Sequence, residues 1–367
     1  MNQPNSLKNK RTLVTGGGGF LGWAVVQKLL EKGALIRSFS RRSYPRLTAV
    51  GVDQVQGDIG DPEAVAAACR GVDTVFHIAA KAGVWGRASE FHRTNVVGTR
   101  NVIAACAAGS VDALVYTSSP SVVFDGKDME GVDESVPYPD RYPAPYPQTK
   151  ALAEREVVMA AQTGLKTIVL RPHLIWGPGD NHLVPRIIAR ARHLRRIGDG
   201  RNRVDTVYID NAADAHILAA ESMETRPALS GRIYFISQGE PMPLWEMIDA
   251  ILEAAGLPPV RKSISLRTAR RFGAVMELVY RSLRLEKEPP MTRFTAEELA
   301  TSHWFDIGAA RRDLGYRPAV STSEGLHRLA QWLDTSRSKE SKLETRRQQA
   351  WRAKPANGPN WLNQFLH

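Results

Sequence analysis

The sequence predicts an α/β protein with a doubly wound parallel sheet and a smaller C-terminal domain. Apolar, β-branched runs such as "RTLVT", "TVFHIA", "ALVYTSS" and "TIVLRP" alternate with helix-forming stretches such as "DPEAVAAAC". This alternation is typical of a parallel sheet covered by helices on both faces. A run of glycines after the first apolar run is the second observation. The third is a change to a proline-interrupted, mixed composition beyond about Gly239.

The chain opens with a strand–turn–helix–strand unit. "RTLVT" is the strand, "GGGGFLG" the turn, "WAVVQKLLEKG" a helix that Gly33 ends, and "ALIRSFSRR" the second strand. Gly16, Gly19 and Gly22 have the spacing G-x-x-G-x-x-G directly after a strand and at the start of a helix. Such a turn lets the backbone approach a pyrophosphate, which the helix N-terminus binds. The unit therefore predicts a Rossmann-type sheet and a dinucleotide.

The remaining segments divide the chain into two domains and a tail. Residues 10–180 are predicted to form the dinucleotide-binding Rossmann domain, and residues 203–238 return to it. Residues 181–202 and 239–334 are assigned to a substrate domain. Residues 335–367 are polar, charged and poor in β-branched side chains, so we expect a mobile C-terminal extension.

The residues after the second strand distinguish the two nicotinamide cofactors. An acidic residue at this place accepts a hydrogen bond from the 2′-hydroxyl of NAD, whereas arginines accommodate the 2′-phosphate of NADP. The chain has Ser40, Arg41 and Arg42 there and no carboxylate. We therefore expect NADP(H), with NAD(H) as the alternative. The other interpretation of the two arginines is a solvated loop.

Charge, cysteines and apolar runs narrow the classes of function. The net charge of +11 is spread along the chain without zinc-finger spacing or an aromatic RNA-binding signature, so no nucleic acid is expected as a partner. Cys69 and Cys106 lack metal or redox spacing, and so do His173, His182 and His216, so no metal is expected. With no secretory signal and no bilayer-spanning apolar run, we expect a cytoplasmic protein.

The segment "RYPAPYPQTK" places a tyrosine and a lysine one helical turn apart. Pro147 suits the first turn of a helix, so Tyr146 is expected where the helix "ALAEREVVMAA" begins. Lys150 then lies on the same face. A neighbouring ammonium favours phenolate, so we expect the pKa of Tyr146 to be lowered towards neutrality, as suits a general acid or base. Alone, this spacing also occurs in surface pairs without any chemical role.

Further motifs, in order from Thr12 to Trp332, resemble those of the extended short-chain dehydrogenases/reductases. "TGGGGFLG" resembles the family's cofactor loop, "GDI" its adenine-contacting segment, "HIAAK" its nicotinamide-ribose segment and "YPQTK" its catalytic Y-x-x-[ST]-K motif. "TNVVGT", "YTSSPS" and "RPHLIWGPGD" match further family segments. Together with the arginines above, the resemblance implies these cofactor contacts: Gly16, Gly19, Phe20, Leu21, Gly22, Arg41, Arg42, Asp58, Ile59, Ala79, Ala80, Lys81, Tyr146, Lys150 and Pro172.

The resemblance also implies a mechanism. Tyr146 donates a proton to a carbonyl oxygen while NADPH delivers hydride to the carbon. Lys150 binds the nicotinamide ribose and holds down the pKa of the phenol. Ser119 hydrogen-bonds the same oxygen and stabilises the developing alkoxide. Ser118 and Ser121 remain alternatives for the catalytic hydroxyl, because the run of serines leaves the register open.

Within this family, "KAGVWG", "SSPSVVFDG" and "FISQGEPMPLW" resemble the 3β-hydroxysteroid dehydrogenase-like branch, and bacterial 2-alkyl-3-oxoalkanoate reductases in particular. This implies reduction of a ketone in a hydrophobic 3-oxo acid or lipid-like substrate to the 3-hydroxy product. The alternatives are an NAD-dependent 3β-hydroxysteroid or sterol-4α-carboxylate 3-dehydrogenase, a nucleotide-sugar epimerase or dehydratase, and a cofactor-binding regulator without turnover. Trp85, Ser121 and Tyr146 are the expected substrate contacts. Trp176 is either a second pocket wall or a core residue.

Residues 267–285 have the pattern of an amphipathic helix. An apolar stripe is formed by Phe272, Val275, Met276, Val279 and Leu283, and the opposite side carries Arg267, Arg270, Arg281 and Arg284. Such a helix either covers a substrate pocket or makes peripheral contact with an anionic membrane. Composition favours the pocket cover. We also expect a homodimer.

Overall fold

The computed structural model describes residues 6–352, with the backbone alone over 339–352. Strands and helices are numbered in chain order. A seven-stranded parallel sheet is built from β1 (Arg11–Thr15), β2 (Leu35–Ser40), β3 (Asp53–Gln56), β4 (Thr74–His77), β5 (Ala113–Thr117), β7 (Lys166–Pro172) and β12 (Arg232–Ile236). The strand order is β12-β7-β5-β4-β1-β2-β3. The order reverses between β1 and β4, as in the predicted Rossmann type. The fold class is confirmed.

Alternate residues of each strand enter two separate cores, one on each face of the sheet. Val14 of β1 and Phe76 of β4 belong to one cluster of buried side chains. Their neighbours Leu13 and Val75 belong to the other. Successive side chains of a strand point to opposite faces, so a sheet covered on both sides needs near-continuous apolar strands. This is why "RTLVT" and "TVFHIA" contain so few charged residues.

Helices connect the strands and supply the outer layers. They are α1 (Phe20–Glu31), α2 (Pro45–Ala49), α3 (Pro62–Cys69), α4 (Ala88–Phe91), α5 (Gly98–Ala108), α6 (Pro145–Ala161), α7 (Leu183–Arg190), α8 (Ile209–Thr225), α9 (Leu244–Ala254), α10 (Leu266–Ser282), α11 (Arg293–Glu298) and α12 (Thr322–Arg352). A π-helical turn, His92–Val97, joins α4 to α5. No helix in the described part of the chain is long and apolar enough to cross a membrane.

The short strands form a second, smaller layer next to the main sheet. Its four strands are β6 (Met129–Val132), β10 (Arg203–Val204), β13 (Met242–Pro243) and β15 (His303–Phe305), in the order β13-β10-β15-β6. Two further pairs are β8 (Ile175–Trp176) with β11 (Val207–Tyr208), and β9 (Arg196–Ile197) with β14 (Ser263–Ile264). Strands β6 and β10 come from stretches that the domain prediction assigned to the Rossmann domain. Pairing with distant strands places them here instead.

Two features of the C-terminal third bear on the sequence predictions. The polar stretch after residue 334 is helical as far as Arg352, because α12 runs on without a break. Its lack of Gly and Pro between Gly325 and Arg352 permits this continuous helix. The rest of the predicted mobile extension, 353–367, lies outside the described residues. In α10 the buried side is formed by Ala269, Gly273 and Glu277, so the predicted apolar stripe does not face inward.

Candidate active site

The glycine-rich loop lies at the carboxyl end of β1, beside the reversal of strand order. Gly16 has φ of +74°, in the left-handed region that favours glycine. A Cβ on Gly22 would lie 2.1 Å from the carbonyl oxygen of Gly16, so only glycine permits this tight turn. Gly19 is the N-cap of α1, and Phe20 and Leu21 are the first two residues of the helix. No side chain caps the helix N-terminus, and the first turn contains no acidic residue. These free N–H groups fit a pyrophosphate.

The end of β2 is basic and contains an unpaired hydroxyl. The Ser40 Oγ is buried without a hydrogen-bond partner among the described residues. Arg41 and Arg42 follow and are exposed, and the Arg42 Nε donates to the Tyr44 hydroxyl at 3.2 Å. Arg46, which the sequence analysis missed, donates from Nη2 to the carbonyl oxygens of the glycine loop. The third arginine of "SRRSYPRL" is Arg46, and this cluster of arginines is the sequence feature that could have indicated its role.

Asp58 and Ile59 follow β3 at the same edge of the sheet. The Asp58 carboxylate accepts from the Gly60 N–H at 2.8 Å and from Arg93 at 2.9 Å. The Ile59 side chain packs against Gly98, where an added Cβ would lie 2.7 Å from it. This packing holds the turn after β3 against the start of α5. The adenine contacts expected of both residues stay predictions.

A buried histidine network fixes the segment after β4. The Thr15 hydroxyl oxygen accepts from the N–H groups of Ile78 and Ala79, each at 3.1 Å. Its own proton therefore goes to His77 Nδ1, 2.8 Å away, and His77 Nε2–H donates to Thr99 at 3.0 Å. Burial lowers the pKa of His77 to about 3, so the ring stays neutral. The network ties "HIAAK" to β1.

The residues Ala79, Ala80 and Lys81 face the glycine loop from β4. A Cβ on Gly16 would lie 3.2 Å from the Ala79 Cα, so the two segments are in near contact. The Lys81 N–H donates to Asn95 Oδ1 at 2.8 Å, which holds the segment in place. Pro172, at the end of β7, lies at the carboxyl edge of the same sheet. The structure thus brings together the predicted cofactor contacts at the edge where Rossmann sheets bind dinucleotides.

Tyr146 lies in the first turn of α6, which begins at Pro145 rather than after Tyr146. Ala144, in extended conformation, precedes the helix, and Pro145 occupies its first position. Burial raises the pKa of Tyr146 to about 12, partly offset by the hydroxyl of Ser119. The prediction that this pKa is lowered is wrong. Sequence spacing showed that the two residues share a helix face, but burial of the phenol has the larger effect.

The local contacts distinguish the three serines. The Ser119 Oγ accepts from the Ser121 N–H at 3.2 Å and from the Ser121 Oγ at 3.0 Å. Ser119 is also the serine whose hydroxyl interacts with Tyr146. The Ser118 Oγ is buried and has no hydrogen-bond partner among the described residues. The geometry therefore favours Ser119 next to Tyr146, with Ser121 supporting it.

Lys150 is buried and bonds to β5. Its Nζ donates to the Tyr116 hydroxyl at 2.7 Å and to the Thr117 carbonyl oxygen at 2.6 Å. Burial lowers the pKa of Lys150 to about 7, against the opposing effect of Glu154 one turn further along α6. The ammonium can reach a third acceptor, because it has three donors and two are used. A ribose hydroxyl would suit that position.

An ion pair with almost no exposure supports α6 from behind. The carboxylate of Glu154 is 0% exposed and the guanidinium of Arg171 on β7 is 1% exposed, at 2.5 Å from each other. Tyr138 donates to the same carboxylate at 2.7 Å. These contacts join the helix that carries Tyr146 and Lys150 to the central sheet.

A cleft of about 650 Å³ opens at Ala144 and Pro145, the two residues that precede Tyr146. It is lined by Ala144 and Pro145, by the loop around Trp85, and by the end of α10 with the residues that follow it. The Trp85 Nε1–H donates to the Leu285 carbonyl oxygen at 3.1 Å and so closes one side. Trp85 is thus a pocket wall, whereas Trp176 is fully buried and donates to Thr206 in the core.

His173 and His216 have structural partners. His173 Nδ1 bonds to the Asp205 carbonyl oxygen at 2.6 Å, and His216 Nδ1 to that of Ala212 at 2.7 Å. Over the described residues no group of three or more His, Cys, Asp or Glu side chains is arranged to hold a metal ion.

Comparison with known proteins agrees with this architecture. Residues 13–267 match the 3-beta hydroxysteroid dehydrogenase/isomerase family. The chain belongs to this family. A 2-alkyl-3-oxoalkanoate reductase of Stenotrophomonas maltophilia is 52% identical over 323 residues, which is 87% of this chain and 98% of the relative. The enzyme of the same description from Shewanella oneidensis is 48% identical over 332 residues, with 88% and 86% covered.

Solved structures extend the likeness to the fold. A dTDP-glucose 4,6-dehydratase of Streptomyces venezuelae with bound NAD is 27% identical, with a TM-score of 0.70, covering 89% of this chain and 98% of that one. As a member of the 3-beta hydroxysteroid dehydrogenase/isomerase family, the chain is an NAD(P)-dependent oxidoreductase that acts on CH–OH groups. The glycine loop, the free N-terminus of α1 and the buried Lys150 fit such a cofactor.

Proposed function

We propose that this protein reduces the ketone of a 2-alkyl-3-oxo acid to the 3-hydroxy acid with NADPH. The main support is the presence of Ser119, Tyr146 and Lys150 in one chain with a cleft that reaches Pro145, the residue before Tyr146, and whose lining includes apolar Val84, Trp85 and Phe294. Two relatives that are 52% and 48% identical to this chain, over 98% and 86% of their own lengths, are named 2-alkyl-3-oxoalkanoate reductases. Apolar side chains in the lining of the cleft suit the hydrocarbon part of such a substrate.

The side chains divide the chemistry between them. Bound NADPH supplies the hydride. Tyr146 is protonated over the whole neutral range, because burial raises its pKa to about 12, and so it serves as the proton donor to the ketone oxygen. The Ser119 hydroxyl donates to the same oxygen and stabilises its developing charge. Lys150, whose ammonium is already held by β5, binds the ribose hydroxyls and orients the cofactor.

Tyr146→Phe tests this assignment. NADPH binding is expected to stay near wild type, while turnover of a 2-alkyl-3-oxo acid falls by roughly two or more orders of magnitude with loss of the proton donor. The measurement is NADPH consumption at saturating substrate, with cofactor affinity measured separately by fluorescence titration. Near-normal turnover in this variant would remove Tyr146 from the mechanism. A wild-type protein that reduces nucleotide sugars but no 3-oxo acid would contradict the proposed substrate.

We further propose NADP(H) as the preferred cofactor. The end of β2 has no carboxylate to accept from the 2′-hydroxyl of NAD. Arg41 has no hydrogen bond or ion pair among the described side chains, and Arg42 bonds only to the Tyr44 hydroxyl. The buried, unpaired Ser40 Oγ adds a donor at the same place. Guanidinium groups without a carboxylate partner are well suited to a phosphate.

The exposed apolar surface of α10 supports a third proposal, which is that the protein makes contact with an anionic membrane. Eleven large hydrophobic side chains of the described chain are exposed, and six of them lie on or just after this helix: Phe272, Val275, Leu278, Val279, Leu283 and Leu285. The favoured interpretation of the sequence, in which the stripe covers the pocket, is therefore wrong for most of the stripe. Clustering of this kind marks an interaction site.

Charge and position favour lipid over a protein partner for the α10 surface. Arg267, Arg271 and Lys287 are exposed at the two ends of the apolar cluster and have no ion pair among the described residues, which suits anionic headgroups. Leu285 also lines the cleft. A lipid-like substrate could thus pass from the membrane to the cleft along one surface. The expected homodimer and cytoplasmic location stay predictions.

Val275→Asp/Val279→Asp tests the membrane proposal. Wild-type protein is expected to co-sediment with phosphatidylglycerol vesicles and the variant to lose that binding, with a higher KM for long-chain substrates and no change for short, water-soluble ketones. Met159→Asp/Trp332→Asp is the matched control, because these exposed apolar residues lie on other elements. Equal loss of activity on long and short substrates by a folded variant would contradict the proposal. Failure of the wild-type protein to co-sediment with the vesicles would also contradict it.

A further inference from the structure

The cleft at Ala144 and Pro145 has an uneven balance of charge. Four cations line it, Lys81, Arg87, Arg281 and Arg284, and three carboxylates, Glu90, Glu277 and Glu286. The carboxylates are each near a cation. Lys81 lies 2.7 Å from Glu90, Arg87 lies 3.8 Å from Glu286, and Arg281 lies 3.7 Å from Glu277. Among the side chains that the structure describes, Arg284 is the one lining cation left without an ion pair or hydrogen bond.

The backbone at Arg284 is also unusual. The residue has φ of +51°, in the left-handed region. Its N–H bonds to the Arg281 carbonyl oxygen at 3.1 Å, and the next N–H, of Leu285, bonds to that of Tyr280 at 2.9 Å. This pair of bonds is the Schellman ending of a helix, in which the left-handed position is usually glycine. An arginine there is disfavoured because it has a Cβ, and such outliers concentrate at ligand-binding places.

Trp85 keeps this helix ending in place against the cleft. Its Nε1–H donates to the Leu285 carbonyl oxygen at 3.1 Å, and its ring packs edge-on against Tyr280, with centroids 6.2 Å apart. Arg281 lies over the same indole. The backbone around Arg284 is therefore held by groups that also line the cleft. The guanidinium itself is exposed and has no partner among the described side chains, so it is available to an anion.

We propose that Arg284 binds the carboxylate of the substrate, with the alkyl chains against the apolar wall of Val84, Trp85 and Leu285. This inference rests on the proposed reduction of a 3-oxo acid. A guanidinium presents parallel N–H donors that match the two oxygens of a carboxylate. Arg284 thereby sets the substrate class: amphiphilic acids are favoured over their neutral esters and over sterols without a carboxylate. Its effect is on binding and orientation, since the proton comes from Tyr146.

The test compares an acid with its ester in Arg284→Gly. Glycine removes the guanidinium and suits the left-handed backbone, so thermal stability is expected to equal or exceed that of the wild type. In the oxidation direction with NADP⁺, the KM for 2-butyl-3-hydroxyoctanoate is expected to rise about 10- to 100-fold, the loss of a charge-assisted contact. The KM for its methyl ester is expected to stay within about twofold. Arg261→Gln, an exposed arginine outside the cleft, is the charge-matched control and should affect neither compound.

Three results would overturn the inference. Arg284→Gly with an unchanged KM for the acid shows that the guanidinium is not a carboxylate contact. An equal rise for acid and ester shows that Arg284 only shapes the cleft. An equal rise in the KM for the acid in Arg261→Gln shows that the substrate is attracted by the general positive charge of the protein instead. If wild-type protein oxidises the ester but does not prefer the acid, the proposal for Arg284 fails while the reductase function stands. If wild-type protein oxidises neither compound, the proposed function itself fails.

Discussion

The buried ion pair under α6 gives the sharpest prediction for stability. Glu154→Gln removes the carboxylate charge and leaves the guanidinium of Arg171 uncompensated in the core. The two side chains are 0% and 1% exposed, and the Arg171 Nη1 already has no hydrogen-bond partner among the described residues. Removing one partner of such a pair destabilises a protein by about 3–5 kcal/mol.

The size of the effect can be expressed as a melting temperature. The entropy of unfolding is proportional to chain length, so for a chain of this size the loss is expected to lower Tm by about 4–7 °C. Glu154 also opposes the lowering of the Lys150 pKa. The variant should therefore keep less ammonium at neutral pH. Calorimetry of the purified protein measures the first effect, and the pH profile of ketone reduction measures the second.

A double-mutant cycle gives the decisive control. Glu154→Leu/Arg171→Met removes both charges together and is expected to be much more stable than either single variant, because no isolated charge remains buried. The single variant Glu154→Leu serves as the volume-matched reference. If Glu154→Gln melts at the wild-type temperature, or if the double variant loses the sum of the two single losses, the pair does not act as described.

Three further outcomes are expected. Gly22→Ala places a Cβ 2.1 Å from the Gly16 carbonyl oxygen, so the cofactor Kd should rise at least about tenfold in a fluorescence titration; an unchanged Kd would show that the loop adapts. Neutralising Arg41 and Arg42 should weaken NADPH by about 1.5–3 kcal/mol and NADH little, and an equal loss for both cofactors would refute recognition of the 2′-phosphate. Burial lowers the pKa of Lys150 to about 7, and the charged form exists below it, so ketone reduction should decline as pH rises through about 7. Lys150→Met should lack that decline, and a flat wild-type profile from about pH 6 to 9 would contradict the assignment.

The strand pattern and the glycine spacing were sufficient to predict the main sheet and the edge where the site lies. Both depend on local rules, the alternation of apolar runs with helices and the steric need for glycine at Gly16 and Gly22. The same rules placed Ser119, Tyr146 and Lys150 near one another. Each of them follows a strand or begins a helix at the carboxyl edge of the sheet, and a parallel sheet gathers such positions.

Burial of a side chain by distant segments of the chain could not be predicted from the sequence. The pKa of Tyr146 is raised rather than lowered because the folded chain encloses the phenol. Trp176 is a core residue because Tyr208 and Thr206, some thirty positions later, surround it. The outward side of α10 follows from its contact with α11, where Gly273 approaches the backbone of Thr292. Hydrophobic periodicity in the sequence does not show which side of an amphipathic helix another element will cover.

The second sheet makes one part of the segment between Ser119 and Tyr146 depend on residues synthesised much later. Strand β6 precedes the tyrosine helix by about a dozen residues, yet its partner in the sheet is β15, at His303–Phe305. Contacts with this sequence separation form late and slowly. The Rossmann layer can assemble while the ribosome is still adding substrate-domain residues, and Tyr138 can already bond to Glu154 at that stage. Strand β6 gains its partner only afterwards, so premature termination before residue 303 leaves this strand unpaired.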